Sequence, residues 1–442
     1  MTQSFYLVLL CLLLGIASIV WLTTRVRLHP FFALLIASLI VGLGVGFSVN
    51  EVLVLVKDGF GNIMRSLALV IVLGTALGVL LEKTGCTTVM AEYILQKIGK
   101  RFPVMAMSVT GFVVGMPLFC DSGFIVLSGL NASLARRTGT SVVVMAVAMA
   151  TGLYSVHCLI PPHPGAAAAA SALGVDYGKL MLCGILIAIP AMLAGNIYAR
   201  YAGKKFPLHV TAGTGTEHTD RSLPSVFQAF MPVIVPVLLI AARSVFANAE
   251  TDPSVWIKGI TVLGDPVIAL AVGVVLVLFA ARSTKKNNIQ HWLQEGAEKA
   301  GGILVIIGAG GAFGAVLAAT DIGKHFSEVL PLAGMGLLFP FLLAFVLKTA
   351  QGSSTVAIIT AASIIQPLLP VLGFTTPDSK LLCVLSMGAG SMMISHANDA
   401  YFWVIAKFEQ IGMRPMLQVY TVASILMGLV SLLMVYLLSF LI

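Results

Sequence analysis

Two short stretches break what should be unbroken membrane helix, and they constrain this 442-residue chain more than anything else in it. The first is Phe119-Cys120-Asp121-Ser122-Gly123, and the second is Gln351-Gly352-Ser353-Ser354-Thr355. Each lies between two apolar arms and puts small and polar residues where a bilayer-spanning helix carries Leu or Val. Lipid tolerates non-helical backbone only where protein or a water-filled cavity covers it. Two such breaks at corresponding places in two halves of a chain point to a transporter's binding site. They read as the tips of two re-entrant hairpins that face one another near the membrane centre.

The rest of the chain fits a polytopic, all-α membrane protein. Hydrophobic residues make up 58% of it and charged residues 10%, with a mean hydropathy of +1.01; a soluble domain carries about 25% charged residues. The net charge of +8 is no nucleic-acid signature, because the positive residues sit in short runs beside apolar segments, as topology signals do. Six cysteines, at 11, 86, 120, 158, 183 and 383, form no C-x-x-C pair and read as small buried hydrophobes. The first apolar run is followed by Arg25 and Arg27 with no basic residue before it, so it reads as a retained helix.

Apolar runs fall at roughly 4–24, 29–47, 63–82, 103–119, 123–135, 140–160, 178–199, 225–247, 258–281, 303–320, 334–349, 353–372, 380–406 and 414–442. A spanning helix needs about 20 residues. With the two short pairs around the breaks taken as hairpins, about ten full spans remain. Crossings counted from a cytoplasmic Arg25/Arg27 then put Lys97/Lys100/Arg101, Arg136/Arg137, Arg200/Lys204/Lys205, Arg282/Lys285/Lys286 and Lys407/Arg414 on that same side. Both termini come out on the outer face.

The chain repeats itself. Gly74-Thr75-Ala76-Leu77-Gly78 resembles Gly310-Gly311-Ala312-Phe313-Gly314, the breaks follow at a similar offset, and Gly152–His157 aligns with Gly390–His396 with one slip. Opposite directions of crossing make the halves inverted repeats. The expected organisation is scaffold helices over 1–60, a first repeat over 61–202, a cytoplasmic linker over 203–224 that holds His209 and His218, scaffold helices over 225–296, and a second repeat over 297–442. The amphipathic segment 288–300, with Trp292, reads as interfacial. The glycines near 310 lie inside a span with no strand before them, so they read as G-x-x-x-G packing and not as a nucleotide loop.

A carboxylate at membrane depth faces a cavity, pairs with a cation or titrates, and Asp121 suits a proton carrier as well as a helix cap. Ser122 and Gly123 complete that tip. Gly352, Ser353, Ser354 and Thr355 offer hydroxyls and free N–H groups at a helix start, a natural anion site; the same oxygens also suit Na⁺. Lys348 is a cation for a carboxylate substrate or for Asp121, or else snorkels to an interface. In His157-Cys158-Leu159-Ile160-Pro161-Pro162-His163, the prolines stop the helix and free its last carbonyls. His157, Pro162 and His163 stand at that end, and His396, Asn398 and Asp399 stand at the matching place in the second half. The histidine and aspartate spacings match no metal motif, so no metal or other cofactor is expected.

These residues carry a family resemblance. HCLIPPHPG at 157–165, KTAQGSSTVAIIT at 348–360 and SHANDAYFW at 395–403 resemble signature stretches of the gluconate permease family. In that family they typically read H-x-x-x-P-P-H-P, an Arg followed by G-S-A-T-V-A, and S-H-x-N-D-x-x-F-W. His29-Pro30-Phe31 and Gly264-Asp265-Pro266 are similar to family positions as well. The resemblance implies a multi-pass protein of the cell inner membrane, embedded in lipid, with the fold of the ion-transporter superfamily. It implies proton-coupled uptake of a small sugar acid or a related hydroxy or amino acid, by an elevator movement against a homodimeric scaffold. The family's first tip usually reads F-x-E-V-G-F where this chain has F-C-D-S-G-F, and Lys348 replaces the usual Arg, which loses bidentate geometry. Both changes sit where substrate should bind and leave room for glycerate or an aldonate beside gluconate.

The expectation is thus a proton symporter for a small hydroxylated carboxylate. The expected binding set is Asp121, Ser122, Gly123, His157, Pro162, His163, Lys348, Gly352, Ser353, Ser354, Thr355, His396, Asn398 and Asp399, with Asp121, His157, His396 and Asp399 handling the proton. Na⁺ coupling is the second transport reading. An intramembrane hydrolase would use Ser353 or Asp121/Asp399, but no G-x-S-x-G or H-E-x-x-H occurs. A channel is disfavoured by the two broken hairpins.

Overall fold

The computed structural model describes residues 5–99, 101–207, 223–246, 255–280, 286–321 and 332–442. Lys100, Arg282, Lys285 and most of the linker with His209 and His218 lie outside the described residues. Among the described residues all regular structure is helical. In chain order the helices of the first half are α1 (Phe5–Thr24), α2 (Pro30–Gly44), α3 (Val49–Lys83), α4 (Cys86–Ile94), α5 (Pro103–Gly115), α6 (Cys120–Thr138), α7 (Val142–Leu159), α8 (Pro164–Leu173) and α9 (Tyr177–Gly203). Then follow α10 (Val226–Phe246), α11 (Val255–Leu263), α12 (Pro266–Ala280), α13 (Lys286–Ala319), α14 (Leu338–Gln351), α15 (Ser354–Ile365), α16 (Pro377–Ser391), α17 (Ala400–Phe408) and α18 (Met413–Leu438).

Seven of the described helices are long and apolar enough to cross a membrane, or eight if α11 and α12, bent by 71° at their junction, form one span. Ten is therefore too many by this measure. The run 380–406 is not one helix: α16 stops at Ser391 and the chain stays non-helical until Ala400. Met392, Met393 and Ile394 make that break look apolar, so hydropathy alone reads through it. The run 29–47 forms α2, of 15 residues. The segment 288–300 is the start of the continuous α13, with Trp292 buried and Glu295 bridging Lys83 at 3.2 Å and Lys299 at 2.8 Å, so it is no separate interfacial helix.

Local chemistry places the helix ends. Ser48 and Glu51 form a capping box at the start of α3, where Glu51 N donates to Ser48 Oγ at 3.3 Å and Ser48 N donates to Glu51 Oε2 at 2.7 Å. Proline opens α5 and α8, where the first N–H is unpaired in any case. Gly352, at φ +82°, turns the chain out of α14 in the left-handed region.

Two groups of helices follow from the packing. In one, α13 runs along α3, α2 packs on α13, α1 on α2, and α12 lies against α3 and α10. In the other, α5 and α6 meet at the first break and both pack on α7, while α14 and α15 meet at the second break and both pack on α16. The helices after the central breaks then cross over. α8, from the first half, packs on α15, and α17, from the second half, packs on α6. Each tip helix is thus covered by the opposite half. The helix α7 is buried along its whole length, which is why its residues are apolar or small on every side.

The glycines of the repeated G-x-x-x-G let α3 and α13 approach the segments of the two breaks closely. Gly78 leaves room for the Pro117 carbonyl, 2.6 Å from where a Cβ would stand, and Gly314 faces Ser363 of α15. At Gly152 a Cβ would collide with the Ser108 carbonyl and lie 2.7 Å from the Phe112 amide, both backbone of α5. We expect Gly152→Ala to push α5 off α7 and lower the unfolding midpoint by several degrees. Gly301→Ala meets nothing within 4 Å and should hold or raise it through helix propensity, by up to ~1 kcal/mol. Thermal unfolding of the two purified variants checks the contrast.

Candidate substrate cavity

The two breaks and the two helix ends opposite them enclose a cavity of about 460 Å³. Its walls include Asp121 from the first tip, Gln351 to Thr355 from the second, His157 and Tyr154 from α7, and Asn398, Asp399 and Tyr401 from the start of α17.

The buried centre of this arrangement is an ion pair. Lys348, in the last turn of α14, has no exposed side chain. Its Nζ donates to Asp399 Oδ2 at 2.6 Å and to the Gly352 carbonyl at 2.5 Å, and lies 5.9 Å from the centre of the Tyr154 ring. The sequence reading aimed Lys348 at substrate or at Asp121, or out to an interface; its hydrogen bonds instead go to Asp399 and the tip backbone. Asp399 also accepts from the Ser395 hydroxyl, and through Oδ1 from Tyr401 N at 3.0 Å, so it caps α17. Thr421 and Ser424 of α18 hold the Ser395 backbone, at 2.6 and 3.0 Å. Every polar group of Asp399 therefore has a partner, as a buried charge requires.

The second tip presents open donors. Ser353 caps α15, its Oγ accepting from Val356 N at 3.3 Å. Ser354 and Thr355 are the first residues of that helix, whose leading N–H groups have no intrahelical acceptor. Asn398 spans the other side of the tip, with Nδ2 donating to the Thr349 carbonyl at 2.7 Å and to the Ala350 carbonyl at 3.2 Å. The end of α14 is thus held by the segment that leads into α17, and Ser354 and Thr355 at the start of α15 stand among the cavity walls.

The two histidines of the first half differ. His157 Nε2 lies 3.3 Å from Thr355 Oγ1, and its Nδ1 is buried without a hydrogen-bond partner among the described residues. His163 Nε2 donates to the Gly115 carbonyl at 2.9 Å and ties the end of α5 to the start of α8. The rings are 5.0 Å apart, edge to face. Among the described residues no three His, Cys, Asp or Glu side chains converge as a metal site would need.

Of the residues singled out from sequence, the cavity brings together Asp121, His157, Gly352, Ser353, Ser354, Thr355, Asn398 and Asp399, with Lys348 directly behind them. Ser122, Gly123, Pro162, His163 and His396 are not among its walls. Gly123 faces Leu153, Pro162 packs against Gly74, and His396 Nε2 contacts the Thr349 carbonyl at 3.2 Å. Among the other wall residues, Tyr154, Tyr401 and Gln351 bring hydroxyl and amide groups that the expected binding set leaves out. Gln351 has both amide atoms buried without a partner among the described residues. Its signal was present, since an amide ends an apolar arm immediately before the tip glycine.

The profile described as GntP family permease matches residues 7–441. A gluconate permease of Pseudomonas aeruginosa is 32% identical, with 99% of each chain covered. The D-serine transporter DsdX of Escherichia coli K12 is 29% identical, with 98% of each covered. Among solved structures, the YdaH transporter of Alcanivorax borkumensis has a similar fold, with a TM-score of 0.65 over 89% of this chain and 90% of that one, at 15% identity.

Breaking the buried pair on one side should be costly. Lys348→Met leaves the Asp399 carboxylate unpaired and Asp399→Asn leaves the ammonium unpaired, each at about 3–5 kcal/mol. The double variant Lys348→Met/Asp399→Asn removes both charges while the amide keeps the cap on α17. We expect low folded yield for each single variant and recovery in the double one, read by size-exclusion chromatography of the detergent-solubilised protein.

Proposed function

The chain belongs to the GntP family of permeases, a multi-pass membrane transporter and not an enzyme, and on that premise we propose that it takes up a small hydroxylated carboxylate by proton symport. The observation that carries the coupling is the charge of the cavity. Lys348 and Asp399 cancel one another at 2.6 Å. That leaves Asp121 as the other carboxyl among the described wall residues, with no ion pair to cancel its charge. An anionic substrate about 6 Å from an ionised Asp121 would be repelled by about 3 kcal/mol at an effective dielectric of ~20, roughly two orders of magnitude in affinity. A proton on Asp121 removes that penalty, so the anion and the proton enter together.

In this reading the N–H groups of Ser354 and Thr355 and the hydroxyls of the second tip hold the carboxylate. Gln351, Asn398 and His157 are left for substrate hydroxyls. The two helix pairs are re-entrant hairpins of inverted repeats, over 61–202 and 297–442, carried by scaffold helices over 1–60 and 225–296. The crossing of α8 onto α15 and of α17 onto α6 supports a single unit that moves with the substrate, against a scaffold paired as a homodimer. Relatives named for gluconate and for D-serine bracket the substrate class. An amino acid would put its ammonium against Asp121, whereas a sugar acid needs that group protonated.

Uptake into proteoliposomes separates the readings. With an inward proton gradient and no Na⁺, we expect uphill accumulation of labelled gluconate or glycerate in preference to D-serine, abolished by an uncoupler. Accumulation only when Na⁺ replaces K⁺ would move the coupling ion to the second tip. Asp121→Asn should lose gradient-driven accumulation and keep substrate exchange; full accumulation by that variant would remove Asp121 from the coupling role.

A further inference from the structure

A second cavity of about 460 Å³ lies away from the substrate cavity, on the face where the positive-inside rule places the cytoplasm. Arg101, Arg200 and Lys204 line it, and among the described residues no carboxylate does. Two helices start there. Phe102 precedes α5 and Ser141 precedes α7, and neither supplies a side-chain cap. The Ser141 hydroxyl donates instead to the Phe206 carbonyl at 2.6 Å. The leading N–H groups of α5 and α7 thus add their partial positive charge to that of the three cations.

One wall of the cavity is fixed in place by α9. Asn196, one turn before Arg200 on α9, donates to the Val104 carbonyl at 3.1 Å and to Ser108 Oγ at 2.7 Å, which locks α9 to α5. Arg200 is held by that register, and its Nε is buried without a hydrogen-bond partner among the described residues. Three cations with no carboxylate among the described lining leave positive charge for an anionic ligand to match. At the rim, Phe102 is 48% exposed and lies under the Arg101 guanidinium, 5.2 Å from the ring centre. Cations beside an exposed ring suit a ligand with an anionic head and an apolar body.

We propose that this cavity binds the phosphate of an anionic phospholipid headgroup from the cytoplasmic leaflet, with Arg200, Lys204 and the two helix starts as the phosphate site. The proposal goes beyond the transport reading and does not depend on it. The same phosphate chemistry on a soluble molecule is the other possible source.

The test uses the full chain, purified and delipidated in neutral detergent, with thermal unfolding as the readout. Added phosphatidylglycerol should raise the wild-type midpoint by several degrees and phosphatidylcholine should not. Arg200→Gln/Lys204→Gln should lose most of that shift, whereas Arg25→Gln, on the same face but outside the cavity, should keep it. Inorganic phosphate that reproduces the shift and leaves nothing for the lipid to add would support the anion site and assign it to a soluble phosphate. Where the double variant does not fold, Arg200→Lys retains the charge without Nε and should keep only part of the shift. An equal shift with phosphatidylcholine, or a full shift in the double variant or in Arg200→Lys, overturns the proposal.

Discussion

A lysine ammonium with no exposed surface, inside an apolar fold, can persist only if its charge is matched. Lys348 meets that condition by tying the end of α14 and the Gly352 carbonyl at the adjoining turn to Asp399, distant in sequence, at the start of α17. Asp399 passes the constraint on, through Ser395, to α18. A pair so deeply buried is weak evidence of net stability against an apolar alternative. Its effect here is geometric. It fixes where a non-helical tip stands relative to a broken helix, at a depth where neither could leave its backbone unpaired.

The same constraint explains the crossing of the halves. Each break frees carbonyls and N–H groups, and lipid cannot satisfy them. Covering each tip helix with a helix from the other half, α8 on α15 and α17 on α6, places protein on every side of both tips. What remains uncovered is the space between them, which becomes the cavity. Its wall residues include groups that the fold leaves without a partner, the Gln351 amide and His157 Nδ1 among the described residues. The charge in it that is not cancelled by a neighbour is that of Asp121, so a requirement of folding, a neutralised Lys348–Asp399 pair, sets the electrostatic condition under which an anion can bind.

Much of this was legible in the chain. Glycine, serine, aspartate and proline inside apolar runs have few uses, and that scarcity marked both tips and the His157–Pro162 end. Other features depend on contacts that pattern cannot show. The break at 392–399 begins with apolar residues, so hydropathy joined α16 and α17 into one span. Tyr154 and Tyr401 carry no such mark, because a ring between apolar neighbours has the same pattern whether it faces a core or a cavity. Lys348 stood out as a cation beside the second tip, but its pairing with Asp399 and not with Asp121 is a contact that pattern does not show. Trp292 looked interfacial because its segment carries charges, which in the fold are matched by Glu295 reaching Lys83.

The central claim is that the cavity accepts an anion only with a proton. Its most direct test is proton uptake on binding: the purified protein in weakly buffered solution with a pH-indicating dye, to which saturating gluconate is added. The account predicts uptake of about one proton for each anion bound. Binding that takes up no proton would contradict it.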